Sequence, residues 1–380
     1  MPTPDVALVT PFPAAGRRHA GWTGVASYSA NLAHALDDAG ARVSVLASIE
    51  DREPTLTRVG NIEVRRVWRR GPLALPAAAA AARSLGAPVV HLQHELFLYG
   101  GASAAPAVAP ALAALRGRRT VVTMHHVVDP AAVDAAFTAT HRVPVPVPLA
   151  RAGVAAVQRS IGALADAVVV HEPSFASVVP GARIVPHGIE TPVRADRAAA
   201  RAALGVSDDR LCVLCFGYVA PYKGLEAAIG AARRLPDAVH LVIAGGEHPR
   251  VGGDYLRQLQ AEAPAGVRFT GFVPEPDIAR WFAAADVALL PYPRPFASSG
   301  PLALALAHRT PVLLSQALAR TVGAPGELAV EPGALAERLQ QLANDPAARA
   351  ALADASSRLA AGRTWPEVAR RHLAVYEASA

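Results

Sequence analysis

The sequence predicts an α/β protein of two doubly wound, parallel-sheet domains. Three observations carry this. At 380 residues the chain is longer than one ordinary core, and two domains of roughly 150–200 residues each are expected. Short apolar runs alternate with Ala-rich helical stretches along its whole length. The runs are apolar throughout rather than at every second residue, as strands covered on both faces require.

In order, VALVTPF, ARVSVLAS, NIEVRRVW, PVVHLQHE, TVVTMHH, AVVVHEPS and RIVPHGI read as strands of the first domain. VASYSANLAHALDDAG and PLALPAAAAAARSLG are helices between them. The Pro-rich stretch ATHRVPVPVPLA, 139–150, reads as an exposed connection. GIETPVRADRAAARAALGVSDD reads as a linker and an entry helix, and a second series follows: LCVLCFGYV, HLVIAGG, VRFTGFV, VALLPYP, TPVLLS and GELAVEP. The expected domains are 1–192 and 193–362, with 363–380 a terminal helix returning to the first. In open α/β sheets ligands sit where strand ends meet helix starts, and two such domains would work across a cleft.

Composition narrows the function. Hydrophobic residues make up 52% of the chain. No apolar run reaches about 18 residues unbroken, so no membrane span is expected. The N-terminus lacks the basic start and apolar core of a signal peptide, which sets a cytoplasmic location as the expectation. The net charge of +6 comes from scattered Arg. Without a basic block it argues against nucleic acid, while permitting an anionic ligand or peripheral contact with a membrane surface. Cys212 and Cys215 lie within one strand run and read as buried apolar residues rather than a redox or metal pair.

Of 37 basic residues only Lys223 is Lys. A chain that writes Arg almost everywhere is expected to keep Lys where the wide guanidinium does not fit. Lys223 stands in GYVAPYKGLEAAI, after a strand and at a helix start, with Gly217, Tyr218 and Gly224. An ammonium beside helix-start N–H groups suits a phosphate. In PYPRPFASSGPLALALAHRTPVLLS, Ser298 or Ser299 can cap a helix whose first turn takes Pro301. Leu302, Leu304 and Leu306 alternate with Ala as in a strand, but Pro301 and the Leu/Ala composition favour a helix. The N–H groups of Ser299, Gly300 and Leu302 could then hold an oxyanion; the plain alternative is a capped core helix.

Gly24 and Val25 open another helix after the first strand. His94 with Glu95, His125 with His126, His171 with Glu172, and His187 with Glu190 all stand at strand ends. A shared site is one reading and structural hydrogen bonding the other. No tight spacing suggests a metal site.

These pieces in this order resemble the group 1 glycosyltransferases of the two-domain GT-B fold, over nearly the whole chain: TGVASYSANLAHAL, QHELFLYGG, VTMHH, IVPHGIE, FGYVAPYKGLEAAI, LVIAGG, VRFTGFVPEPDIARWFAAADVALLPY and RTPVLL. The resemblance implies retaining transfer of a sugar from a nucleotide-diphosphate sugar, without metal or other cofactor. The acceptor would be a glycan, a lipid-linked molecule or a small molecule. Lys223 matches the family's diphosphate lysine, His125 the strand-end histidine near the reacting sugar, and Gly24 the glycine-rich loop against the phosphates. Two departures stand out. Tyr218 replaces a common Arg. Phe296 and Leu304 occupy the places of two glutamates, one by the transferred sugar and one that commonly binds the ribose. These losses leave a non-catalytic GT-B-like binding or partner subunit as the alternative.

Overall fold

A computed structural model describes residues 3–17, 23–247, 254–295 and 298–378. The chain forms two compact units. The first is Met1–Gly188 with Phe296–Ser298 and Trp365–Ala380; the second is Ile189–Pro295 with Ser299–Thr364.

In the first unit the strands are β1 (Val6–Val9), β2 (Val43–Ser48), β3 (Leu56–Val59), β4 (Ile62–Trp68), β5 (Val89–His94), β6 (Arg119–Met124), β7 (Ala167–Val170) and β8 (Arg183–Ile184). Its helices are α1 (Gly24–Asp38), α2 (Ala74–Leu85), α3 (Val108–Ala114), α4 (Ala135–Thr140), α5 (Val147–Leu164) and α6 (Pro173–Val178). The sheet order is β3-β4-β2-β1-β5-β6-β7-β8, parallel except for the β3–β4 pair. Both faces are covered. Val6 and Leu8 of β1 enter one apolar cluster, while Ala7 and Val9 enter another on the opposite side. The sequence reading missed β3, a half-exposed edge strand with no buried face to give it an apolar signal. It also took all of 139–150 as connection, whereas α5 begins at Val147, with Pro148 in its first turn.

The second unit has β9 (Leu211–Phe216), β10 (Val239–Ala244), β11 (Arg268–Gly271), β12 (Val287–Leu290), β13 (Val312–Ser315) and β14 (Ala329–Val330). Its helices are α7 (Arg197–Leu204), α8 (Leu225–Arg234), α9 (Asp254–Glu262), α10 (Glu275–Ala284), α11 (Gly300–Ala307), α12 (Gln316–Val322), α13 (Leu335–Asn344) and α14 (Pro346–Ala360). The order β11-β10-β9-β12-β13-β14 is parallel throughout. Cys212 and Cys215 are buried free thiols on β9, both pushed up to about 12 by burial, and behave as apolar filling.

The last helix, α15 (Trp365–Glu377), belongs to the first unit and packs on α1. Trp365 meets Tyr28 edge-on at 5.2 Å between ring centres. It also covers Gly188 so closely that a Cβ there would lie 2.5 Å from the indole. No helix among the described residues is long and apolar enough to cross a membrane.

Candidate active site

In the second unit three predicted segments converge. β9 ends at Phe216, and Gly217 turns the chain with φ +107°. A Cβ on Gly217 would lie 3.0 Å from Pro301 Cγ and 3.7 Å from Lys223 Nζ, so the turn works only with glycine. Residues Pro221–Lys223 form a single 3-10 turn, and Gly224, at φ +63°, starts α8. A Cβ on Gly224 would lie 2.3 Å from the carbonyl oxygen of Pro291, so here too a side chain is excluded. Tyr218 stands in this loop at 48% exposure.

Lys223 is 7% exposed. Its Nζ donates to the Tyr292 hydroxyl at 2.5 Å and lies 4.2 Å from the centre of the same ring. The Tyr222 ring lies 5.4 Å away. Ser299 Oγ donates to the Tyr292 hydroxyl at 3.3 Å. Burial pulls Lys223 down to about 7, and burial likewise pushes the Tyr292 phenol up, so that it stays neutral. Among the described residues no carboxylate is paired with Lys223, and burial leaves its amine titrating near neutrality.

Ser299 is the N-cap of α11: its Oγ accepts from Leu302 N at 3.2 Å, and Pro301 sits in the first turn. The helix forms as expected, with one correction. The Leu302 amide is taken by the cap, so it is not the oxyanion donor the sequence suggested. Gly300 is the first helical residue, and a Cβ on it would meet open space. Ser298 groups with the first unit, where its Oγ donates to Glu172 Oε1 at 2.9 Å. Leu304 is half-buried against the core of the second unit, and Phe296 lies outside the described residues.

In the first unit, β5, β6 and β7 end in a row of imidazoles. His125 is 8% exposed. Its Nε2 is 2.8 Å from Gln93 Oε1, and its Nδ1 is 3.2 Å from His171 Nε2. His171 Nδ1 donates to the Val185 carbonyl at 2.9 Å. Tyr28 lies edge-on to His125 at 4.8 Å. Burial first, and then the neighbouring histidines His171 and His187, hold His125 well below the usual imidazole range. Both ring nitrogens are already engaged; a sugar hydroxyl would have to replace Gln93 or His171. His126 Nδ1 lies 3.6 Å from Glu95 Oε1. At the start of α1, Thr23 Oγ1 accepts from Val25 N at 3.3 Å, which occupies that amide, while a Cβ on Gly24 would meet open space.

Sequence reasoning missed Tyr292 and Gln93. Tyr292 could have been found as the aromatic residue two positions beyond β12. Gln93 carries no signal of its own, being one polar residue inside a buried strand. Among the described residues no group of three or more His, Cys, Asp or Glu could hold a metal ion.

Residues 22–191 match the family described as Glycosyltransferase Family 4, and residues 210–345 match Glycosyl transferases group 1. A D-inositol 3-phosphate glycosyltransferase from Kribbella flavida is 32% identical over 216 residues, 51% of this chain and 50% of that protein. One of the same description from Mycolicibacterium paratuberculosis is 32% identical over 194 residues, 48% of this chain and 43% of the other. The chain thus spans about half the length of these relatives. Among solved structures, sucrose-phosphate synthase from Thermosynechococcus elongatus superposes with a TM-score of 0.73 at 22% identity, over 98% of both chains. HepE from Anabaena in complex with UDP gives 0.69 at 16%, over 97% of this chain and 98% of that one. These likenesses establish the fold as GT-B. With its two halves matched in turn by the two family descriptions, the chain belongs to the group 1 glycosyltransferases.

Proposed function

We propose that this protein is a retaining glycosyltransferase that moves a sugar from a nucleotide-diphosphate sugar to an acceptor hydroxyl. The observation that carries the reading is the buried amine of Lys223, held between Gly217, Tyr292 and the capped start of α11. Protonated, it pairs with an anion. HepE, of the same fold, has been solved with UDP and with UDP-glucose, in keeping with a diphosphate donor here.

In the reaction the bond from the anomeric carbon to the phosphate oxygen breaks, and its electron pair leaves with the diphosphate. The acceptor oxygen forms the new bond on the same face, and its proton passes to the leaving phosphate. Negative charge therefore grows on the diphosphate, where Lys223 and the positive end of α11 meet it. Preorganised groups of this kind are worth roughly 3–4 kcal/mol each in the transition state. Tyr292 and Ser299 hold the ammonium in place. In the first unit His125 would position the sugar by exchanging its Gln93 or His171 hydrogen bond for a sugar hydroxyl. No metal is needed in this scheme, since the protein's own cation neutralises the leaving group.

The test is incubation with UDP-, GDP-, ADP- and dTDP-sugars and candidate acceptors, following release of nucleoside diphosphate and the anomeric configuration of the product. Release that depends on acceptor, gives the donor's configuration and is unchanged by EDTA is expected. Inversion would overturn the retaining assignment, and restoration by Mg²⁺ after EDTA the metal-independent one.

A further inference from the structure

The first unit contains a cavity of about 400 Å³ whose lining includes none of the residues of the Lys223 site. That volume lies within the roughly 300–1,000 Å³ of small-molecule sites. Its walls come from α2, α3, α4, α5 and the loop after β5, with Leu75, Val108, Phe137, Val145, Val154 and Phe97 among them. His94 and Glu95 provide polar groups in a lining that is otherwise mainly apolar. His94 is 3% exposed, and its Nδ1 makes no hydrogen bond within the protein. That nitrogen is itself closed to solvent, so it is an unsatisfied group within the wall rather than a contact point for an occupant. The Glu95 carboxylate, 3.6 Å from His126 Nδ1, brings a charge to the same wall.

The shape of the lining favours an aliphatic occupant over a flat aromatic one. Phe97 is already stacked on His141, with ring centres 4.8 Å apart and planes 13° from parallel. Phe137 packs on the same imidazole at 4.5 Å. One face of each ring is thus used internally, and what remains is largely Leu, Val and Ala.

We propose that this cavity takes the hydrocarbon chain of the acceptor, with the acceptor's hydroxyl end at Glu95. The assignment rests on the transferase reading for the word acceptor, and on the cavity alone for the chain. It names the substrate class: a hydroxyl compound carrying an alkyl or isoprenoid tail.

The test is binding of 1-octanol, 1-decanol and 1-naphthol to the full chain, followed by thermal shift and titration, with UDP in parallel. Gly153, on α5, lines the cavity, and a Cβ there would meet nothing within 4 Å. Gly153→Phe therefore places a large side chain at the cavity wall without a backbone clash. Alkanol affinity should rise about fourfold per added methylene and fall at least tenfold in Gly153→Phe, while the UDP shift stays the same. Absence of alkanol binding, binding that survives Gly153→Phe, or tighter binding of 1-naphthol than of 1-decanol would each overturn the proposal. Alkanol binding without any nucleotide shift would leave the chain site standing and remove the transferase reading. Co-sedimentation with phosphatidylcholine vesicles only when they contain a polyprenol would place the chain on a membrane lipid. Alkanol binding without such sedimentation would place it on a free acceptor. Both results support the site.

Discussion

Lys223 and Tyr292 form one unit: the ammonium donates to the phenol oxygen at 2.5 Å while lying 4.2 Å from the centre of the same ring. The ring gives the cation a partner but no countercharge. Under the proposed function, a donor diphosphate supplies that countercharge.

This makes Lys223 a cost to folding. In the unfolded chain it titrates near 10.5, and in the folded chain burial holds it at about 7. Between these values the unfolded state binds more protons, so stability rises as pH rises from 7 to 10.5. The gain is on the order of 5 kcal/mol at most. Lys223→Met should abolish this alkaline gain, raise stability at pH 7, and reduce transfer by about 10²–10³-fold. Urea denaturation at pH 7 and pH 9.5 measures the first two. Near-normal turnover in the variant would remove Lys223 from the mechanism.

The same linkage governs the ligand. A diphosphate binds the charged form of Lys223, so its affinity should fall about tenfold per pH unit above 7. Calorimetry of UDP binding at pH 6.5 and pH 8.5, in buffers of different ionisation heat, should show proton uptake at the higher pH. A flat profile would mean that Lys223 does not meet the phosphates.

Gly217 should be intolerant of side chains. Its φ of +107° and the 3.0 Å approach of Pro301 to a Cβ leave Val no place. Gly217→Val is expected to cost about 1–3 kcal/mol in backbone strain and to weaken UDP binding by displacing Lys223 Nζ, 3.7 Å from the same Cβ. Thermal melting and UDP titration separate the two effects.

Acid should unfold the first unit through its buried imidazoles. Burial holds His94 and His372 at about 4, against 6.5 in the unfolded chain. As pH falls through 6.5 the unfolded state takes up the protons first, so stability is complete at pH 7 and lost toward pH 4. Each ring accounts for roughly 3 kcal/mol over that window. His372→Leu, on the buried face of α15, should flatten the loss; an unchanged acid midpoint would show that this ring does not drive it.

The main elements were legible because both sheets are parallel and covered on two faces, which writes each strand as an apolar run. The edge strand β3 was not, since half-exposed residues pair through their backbone alone. The start of α5 was obscured by Pro148, which breaks helices internally but is accommodated in a first turn. At the site, Lys223 was legible from its rarity among the basic residues. The Leu302 amide looked available and is not, because which N–H a cap side chain takes depends on the rotamer of Ser299.

By itself the sequence determined the alternation of strand and helix, the group 1 glycosyltransferase family, and the residues that gather at strand ends. These depend on local chemistry: apolar runs, glycines where a Cβ cannot fit, and caps. Tertiary structure decided what surrounds them. It placed Tyr292 on Lys223 across 69 residues of chain, engaged both nitrogens of His125 with Gln93 and His171, and left the Nδ1 of His94 without a hydrogen bond at an apolar cavity. Burial and partners arise only when distant segments pack. For that reason the same residue type, histidine, is hydrogen-bonded through both ring nitrogens at one strand end and left with a buried, unbonded nitrogen at the next.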